Sequence, residues 1–215
     1  MNEPPASVPP PTAAPAEEES DADLRMLELR HRMKNILAII QSLVNQTLRS
    51  GRTIEEARRA LDRRLAAMGN AVDMLLETTW SAAQLRDLME RCLTAGDGRV
   101  TLEGPDVEIG PDAAMSLSLV LHELESNAIK YGALSKDEGR VEVRWTVEQK
   151  DGTECLALSW RERDGPTVTP PSREGFGSRM ISKVIGRQLG GSADTEFAPD
   201  GLKWRLSASM AALAH

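Results

Sequence analysis

Apolar residues recur at helical spacing along the first third of the chain. From Asp23 onward they mark one face of a helix at intervals of three and four: Leu29, Met33, Ile36, Ile40 and Leu43. After a turn at Gly51, Thr53 and Glu56 have the spacing of a capping box, which marks the start of a second helix. Its predicted apolar stripe is Ile54, Ala57, Leu61, Leu65, Met68, Val72 and Leu75. The two helices are therefore predicted to form an antiparallel hairpin over residues 23–80.

This hairpin carries more apolar surface than a single copy of it can bury. Two such hairpins cover each other's apolar faces when they pair into a four-helix bundle. We therefore expect a homodimer that is held together through the helices of residues 23–80.

From residue 81 onward the pattern mixes helices with short strands. Gly110 and Pro111 begin a long helix toward Tyr131, since proline is favoured at the first helical position. Apolar residues then alternate with polar ones along strands: Val141, Val143, Trp145 and Val147, then Leu156, Leu158 and Trp160 after the Asp151–Gly152 turn, and finally Ala193–Phe197 and Leu202–Ala208. This mixture predicts an α+β domain over residues 81–215, with a mostly antiparallel sheet covered on one face.

The first 22 residues differ in composition from the rest. Residues 1–23 contain no Lys or Arg, and they hold six of the twelve prolines together with six of the 33 acidic residues. Such a segment has too little apolar surface to order itself by burial. We predict a disordered tail over residues 1–22.

Charge, composition and cysteine content exclude several classes of protein. Beyond residue 23 acids and bases nearly balance, so the 215-residue chain lacks the basic excess of a nucleic-acid-binding protein. No apolar run is long enough for a membrane helix, no signal peptide is recognisable, and two cysteines cannot build a disulfide framework. We expect a cytoplasmic protein without nucleic-acid or membrane partners. Aromatic residues make up only 3% of the chain, so Leu, Ile, Val, Met and Ala are expected to form the core.

His31 is the first candidate for chemistry. It lies two residues after Leu29, which at about 3.6 residues per turn places it opposite the apolar face of the helix. An exposed neutral imidazole is a nucleophile near pH 7 and can accept a phosphoryl group. A lone surface histidine most often has no such role, but Arg32, Lys34 and Asn35 surround this one with two cations and an amide that suit a phosphate.

A second group of polar residues shares one face of the long helix. Glu123 and Asn127 are four residues apart, so their carboxylate and amide oxygens lie on the same side. Such oxygens suit a Mg²⁺ ion that is shared with phosphates, and Lys130 on the next turn can reach an anion. A zinc-protease motif at His122 is excluded, because Ser126 stands where the second histidine is required. The alternative is a solvated polar face without a function.

Two further stretches are candidates for binding a nucleotide. Gly175 and Gly177 precede a helix, where backbone N–H groups and the helix N-terminus favour a phosphate, although an ordinary loop-to-helix joint is the more frequent explanation. Trp160 and Glu162 end a strand. Trp160 is assigned to the core, whereas Glu162, beside a glycine turn, can accept a hydrogen bond from the amino group of a base.

The order of these features resembles the HWE subfamily of sensor histidine kinases over essentially residues 24–210. The resemblance is carried by HRMKN at 31–35, HELESNAIKYGALS at 122–135, WRERDGP at 160–166 and GFGS at 175–178. The subfamily is named for the residues that are His122, Trp160 and Glu162 here. The resemblance implies a dimerisation and phosphotransfer hairpin followed by a Bergerat-type (GHKL) ATP-binding α/β sandwich.

The resemblance also implies roles for single residues. His31 is implied to accept the phosphoryl group, with Asn35 one turn on, and Asn127 to hold Mg²⁺ with Glu123 beside it. The implied contacts to ATP come from Lys130 near the phosphates, Tyr131 near the nucleoside, Glu162 at the adenine, Gly165 in the loop that follows, and the second glycine box of Gly175, Gly177 and Ser178.

The chain departs from the subfamily in three respects. Asp164 stands where the subfamily has a glycine and brings a Cβ and a carboxylate toward the nucleotide. Glu125 stands where a small residue is more usual. Because no sensor domain precedes the hairpin, the signal is expected to come from a separate sensor protein or from another means of regulation.

The leading hypothesis is an ATP-dependent protein histidine kinase. It would transfer the γ-phosphoryl group from Mg²⁺·ATP to His31 and then to an Asp in the receiver domain of a response regulator. The alternative is a phosphotransfer or phosphatase protein of the same fold with a degenerate ATP site, which relays phosphate through His31 or uses Asn35 to orient a hydrolytic water. A chaperone-like ATPase with the same ATP-binding lobe would not need the His31 helix.

Overall fold

A computed structural model of the chain describes residues 15–48, 53–78, 82–170, 181 and 185–214. Its first half contains α1 (Pro15–Leu48), α2 (Ile54–Glu77), β1 (Ala83–Gln84), α3 (Leu85–Cys92), β2 (Val100–Glu103), β3 (Glu108–Ile109) and α4 (Pro111–Lys130). A 3-10 turn at Ala133–Ser135 precedes β4 (Arg140–Lys150), β5 (Thr153–Arg163), α5 (Ile185–Gln188), β6 (Ser192–Ala198), β7 (Gly201–Ser209) and α6 (Met210–Leu213). None of the helices in these ranges is both long enough and apolar enough to span a membrane.

Helix α1 begins earlier than its apolar spacing predicts. It starts at Pro15, so residues 15–22 of the predicted disordered tail are helical, while residues 1–14 lie outside the described residues. Proline is favoured at the first helical position, because its fixed backbone angle suits the start of a helix. Local chemistry therefore extends the helix beyond its apolar stripe.

The start of α2 is the one that the capping box predicts. The Glu56 N–H donates to Thr53 Oγ1 over 3.3 Å, and the Thr53 N–H donates to Glu56 Oε2 over 3.0 Å. These two hydrogen bonds satisfy donors that the first turn of a helix leaves free. The turn predicted at Gly51 lies outside the described residues.

The buried face of α2 is rotated from the predicted stripe. The side chains at Ile54 and Leu65 are 88% and 37% exposed, although both were predicted to be buried. The buried residues of α2 are Ala57, Ala60, Arg64, Ala67, Met68, Ala71, Met74 and Leu75. The prediction followed the large apolar side chains, whereas this face is lined with alanines, whose small side chains let α2 pack closely against α4.

The strands form the predicted, mostly antiparallel sheet. Its strand order is β2-β4-β5-β7-β6, in which only β2 and β4 run parallel, while β1 and β3 form a separate antiparallel pair. Alternate residues of β4, β5 and β7 are buried, so one face of the sheet is covered. Helix α4 runs from the N-cap Gly110 to the C-cap Tyr131, as predicted.

The core is not purely aliphatic. Trp145, Trp160 and Trp204 are the largest fully buried side chains, each 1% exposed, and Trp160 lies opposite Trp204 in the register of β5 and β7. The assignment of Trp160 to the core is confirmed, but the expectation of an otherwise aliphatic core is wrong, because three of the four tryptophans lie on the inner strands of the sheet.

The chain divides into two compact units, Met1–Ser42 and Leu43–His215. The second unit contains the last turns of α1, all of α2 and the whole sheet with its helices. The functional division predicted between residues 80 and 81 stays a prediction.

Candidate active site

The last turn of α4 presents three of the predicted site residues. Asn127 is half-buried, Lys130 is exposed, and the Tyr131 side chain is 74% exposed at the C-cap. The Lys130 Nζ donates to Ser126 Oγ over 2.6 Å, which holds the ammonium group along the helix. An amide, a cation and an aromatic ring are thus accessible within one turn, where they can contact a charged ligand with a planar group.

Glu123 lies one turn earlier and contacts α2. Its Oε1 accepts a hydrogen bond from Arg64 Nε over 2.6 Å, and the two side chains are 11% and 3% exposed. Arg64 Nη1 in turn donates to Thr47 Oγ1 over 2.8 Å, and that hydroxyl donates to the Leu43 carbonyl over 2.7 Å. The carboxylate predicted to lie beside Mg²⁺ is therefore bound to a buried guanidinium.

His122, the histidine of the motif on α4, is a neutral residue in this environment. Burial is the largest cause that lowers the pKa of its imidazole, and the nearby cations Arg63, Arg64 and Lys130 lower the pKa further. Glu123 acts in the opposite direction. Since the ordinary value is 6.5, the ring is uncharged at neutral pH and adds no positive charge to this face of α4.

Glu162 is buried at the end of β5 and is 2% exposed. Its Oε2 accepts from the Ala133 N–H over 2.8 Å, and its Oε1 accepts from Trp160 Nε1 over 3.3 Å. Burial raises the pKa of this carboxyl, whereas both hydrogen bonds lower it. The Trp-x-Glu motif thus has a structural reason, because the core indole of Trp160 orients the carboxylate two residues on.

Glycines allow the chain after α4 to lie directly on this carboxylate. A Cβ at Gly132 would overlap Glu162 Oε2, and a Cβ at Gly165 would lie 2.6 Å from the Ala133 Cα. Neither position can hold a side chain without a shift of its neighbours. Gly165, predicted to bind the nucleotide, therefore also has a packing role next to Ala133.

The structure describes the surroundings of Asp164 and Glu125, the two residues that depart from the subfamily's motifs. Asp164 is exposed and has φ +57°, which is left-handed backbone that favours glycine. Glu125 is buried, and its Oε1 accepts from the Ala95 N–H over 2.9 Å. Burial raises the pKa of Glu125, and burial together with this carboxyl raises the pKa of the Cys92 thiol to about 12. Glu125 therefore anchors the loop after α3.

The remaining predicted residues are described in part or not at all. His31 lies in α1, but its side chain is outside the described part of the structure. Asn35, one turn on, is half-buried. Gly175, Gly177 and Ser178 lie outside the described residues. The roles of these five residues stay predictions.

Sequence reasoning missed Arg64 and the backbone of Ala133. A signal for Arg64 exists, since it stands in a helical spacing of alanines at Ala57, Ala60, Ala67 and Ala71, where a charge is out of place unless it has a buried partner. No sequence signal marks Ala133, because it acts through its backbone N–H, a group that every residue except proline has.

Comparison with known proteins assigns the chain to a family. A model of the HWE histidine kinase family matches residues 28–106. The blue-light-activated histidine kinase of Brucella anthropi is 37% identical over 198 residues, which make up 90% of this chain and 40% of that protein. The chain belongs to the HWE histidine kinase family. The blue-light-activated histidine kinase of Brucella ovis is 36% identical over 188 residues, covering 86% of this chain and 38% of that protein. The chain thus spans about 40% of the length of these relatives.

Solved structures show the same fold for this HWE family member. The histidine kinase domain of a blue-light activated histidine kinase from Erythrobacter litoralis matches with a TM-score of 0.61 and 18% identity, covering 91% of this chain and 98% of that one. A longer structure of that kinase matches with a TM-score of 0.64 and 19% identity, covering 87% of this chain and 59% of the other. The predicted α+β fold of GHKL type is therefore confirmed, while the pairing of two hairpins stays a prediction.

The donor set at the end of α4 fits Mg²⁺ and ATP in part. Asn127 has an amide oxygen and Lys130 a cation, groups that suit a metal ion and phosphates. Among the described residues no group of three or more His, Cys, Asp and Glu side chains is suited to a metal ion. An ion at Asn127 would therefore take most of its ligands from phosphates and water, as Mg²⁺ commonly does. Glu123 does not join this set while its Oε1 is bound to Arg64.

Proposed function

We propose that this protein is an ATP-dependent histidine kinase that phosphorylates its own His31 and passes the phosphoryl group to an aspartate of a response regulator's receiver domain. One observation carries the proposal: in a chain of the HWE histidine kinase family, the HELESNAIKY motif forms a buried helix whose last turn leaves Asn127, Lys130 and Tyr131 accessible.

The residues at the end of α4 would bind the nucleotide. Asn127 would hold Mg²⁺, which neutralises charge on the phosphates when it is bound. Lys130 would contact a phosphate oxygen, and the exposed ring of Tyr131 would lie against the nucleoside. The second glycine box of Gly175, Gly177 and Ser178 would offer backbone N–H groups to the phosphates.

Glu162 would recognise the adenine without giving up its present contacts. A carboxylate can accept about four hydrogen bonds, and two of these positions are taken by the Ala133 N–H and Trp160 Nε1. A further position remains for an amino group of the base. Because the indole and the backbone already orient the carboxylate, little ordering is required when ATP binds.

His31 would accept the phosphoryl group. A neutral imidazole nitrogen attacks the γ-phosphorus, the bond to the β-γ bridging oxygen breaks, and ADP leaves. Arg32 and Lys34 flank this position with positive charge that suits the transferred group. The phosphoryl group then passes from the imidazole nitrogen to a carboxylate oxygen of the receiver domain, which restores the free histidine.

The test is labelling with γ-phosphate-labelled ATP and Mg²⁺. The protein should acquire label that is lost in acid and stable in base, and His31→Ala should abolish it while the Kd for Mg²⁺·ATP stays unchanged. His215→Ala removes a histidine elsewhere and should leave the labelling intact. Full labelling of His31→Ala would exclude His31 as the acceptor, and absence of label on the unaltered protein would overturn the kinase.

A further inference from the structure

Three side chains from three helices meet in one buried cluster. Arg64 of α2 donates to Glu123 of α4 over 2.6 Å and to Thr47 of α1 over 2.8 Å. All three are buried, with 2%, 8% and 1% of their surface exposed. The cluster therefore joins the end of α1 and the middle of α2 to α4, the helix that carries the proposed nucleotide site.

Two other arginines on the same helix behave differently. Arg58 and Arg59 pair with Glu55 within α2, and their side chains are 63% and 64% exposed. Such exposed pairs contribute little to stability. Arg64 alone among these three is shielded from water and reaches across to another helix.

A buried ion pair persists until something replaces one of its charges. Removing the guanidinium from the carboxylate would leave both groups desolvated and uncompensated, which is strongly unfavourable. A cation that arrived beside Glu123 would compensate the carboxylate and so lower that cost. Asn127, the proposed magnesium-holding residue, lies four positions from Glu123 on the same helix, where side chains are neighbours.

We propose that Arg64 and Glu123 form a latch between α2 and α4, and that binding of Mg²⁺-nucleotide opens it by attracting the Glu123 carboxylate away from Arg64. The latch rests on the proposed function, since it requires the nucleotide to bind at the end of α4. Closed, it ties α2 to α4 and withholds Glu123 from the nucleotide site. Open, it frees α2 and adds a carboxylate to the oxygen ligands beside Asn127.

The first experiment observes the latch in the unaltered protein. A buried, hydrogen-bonded Arg Nε–H exchanges slowly with water and gives an NMR signal, which is assigned to Arg64 by its loss in Arg64→Lys. Saturation with Mg²⁺ and a non-hydrolysable ATP analogue should remove the protection of this signal. The analogue with excess EDTA should not. A signal that stays protected in the saturated magnesium complex would show a permanent structural contact and overturn the latch.

The second experiment measures the competition by calorimetry. Arg64→Met releases Glu123, so the Kd for Mg²⁺·ATP should fall about fivefold or more, a typical size for coupling between sites. Arg59→Met is the matched control on the same helix and should not change the Kd. In a Glu123→Gln background, Arg64→Met should have no further effect, because the two residues act as one unit.

The outcomes separate the latch from the function on which it rests. If the unaltered protein binds no Mg²⁺·ATP, both proposals are overturned. If it binds the nucleotide and Arg64→Met leaves the Kd unchanged or raises it, the latch alone is wrong. Should Arg64→Met fail to fold, as judged by its circular dichroism, the NMR signal of the unaltered protein decides.

Discussion

Asp164 has a side chain at a position where the backbone conformation favours glycine. Its φ of +57° lies in the left-handed region, where a residue with a Cβ costs roughly 1–2 kcal/mol and Asp somewhat less. The position follows directly after β5 and precedes Gly165, in the loop next to Glu162. The resemblance to the HWE subfamily marked Asp164 as a departure from glycine, and the positive φ is the physical reason why glycine suits this position.

We predict that Asp164→Gly raises the affinity for Mg²⁺·ATP. The substitution removes the strain and also a negative charge near the phosphates, and screening at physiological salt keeps the gain modest. Stability should change by less than about 1 kcal/mol, since glycine also increases the entropy of the unfolded chain. Calorimetric titration measures the affinity.

Asp151→Gly is the matched control for this change. Asp151 has φ +50° in the turn between β4 and β5, at the far end of two strands of 11 residues each. At about 3.3 Å per residue the turn is remote from Glu162, so ATP affinity should not change. Equal or weaker binding by Asp164→Gly would mean that the loop accommodates the aspartate without cost.

Among the site residues, those on one helix were predictable and those that meet across elements were not. Asn127, Lys130 and Tyr131 share the last turn of α4 because helical periodicity alone places them there. The partner of Glu123 is 59 residues away in the chain, and no local pattern reports it. Glu125 was noticed only as unusual, because its role depends on the distant Ala95 N–H.

At the scale of elements, helix starts followed local rules. The capping box at Thr53 and Glu56 and the proline that opens α4 are both present as predicted. These signals act within four residues, so tertiary packing changes them little. The buried face of α2 did not follow its largest apolar residues, because α2 packs against α4 and its buried positions are mostly alanines.

We predict that Thr53→Ala lowers the free energy of unfolding by about 1 kcal/mol, because the hydroxyl that accepts from the Glu56 N–H is lost. Urea unfolding followed by circular dichroism measures the change. Thr53→Ser keeps the hydroxyl, so its free energy of unfolding should stay within about 0.3 kcal/mol of that of the unaltered protein. Equal losses in both variants would assign the effect to the methyl group of Thr53.

At the scale of the whole molecule, α1 exposes large apolar side chains in a single chain. Met33 of the predicted α1 seam is 56% exposed, and Leu37 on the next turn is 55% exposed. Apolar surface of this kind on a long helix is usually covered by another helix.

We predict a homodimer at micromolar concentration, held by the helices. Light scattering coupled to size-exclusion chromatography should give twice the chain mass of 23.5 kDa. Met33→Glu should shift the mass toward that of one chain, because a charge in an apolar interface is costly. Val147→Glu is the control, since Val147 is 38% exposed on β4, outside the hairpin. A monomeric mass for the unaltered protein would rule out the four-helix bundle.

Local order could be predicted from the chain, since caps, turns and alternating strands depend on neighbours within a few residues. The capping box at Thr53, the Asp151–Gly152 turn and the alternation along β4 and β5 are all of this kind. Tertiary structure alone decided which groups meet across elements. Two contacts join segments that are far apart in sequence: the buried pair of Arg64 and Glu123, and the hydrogen bond from the Ala133 N–H to Glu162. These contacts depend on how the helices and the sheet pack together, and the spacing of residues along the chain does not report which groups meet.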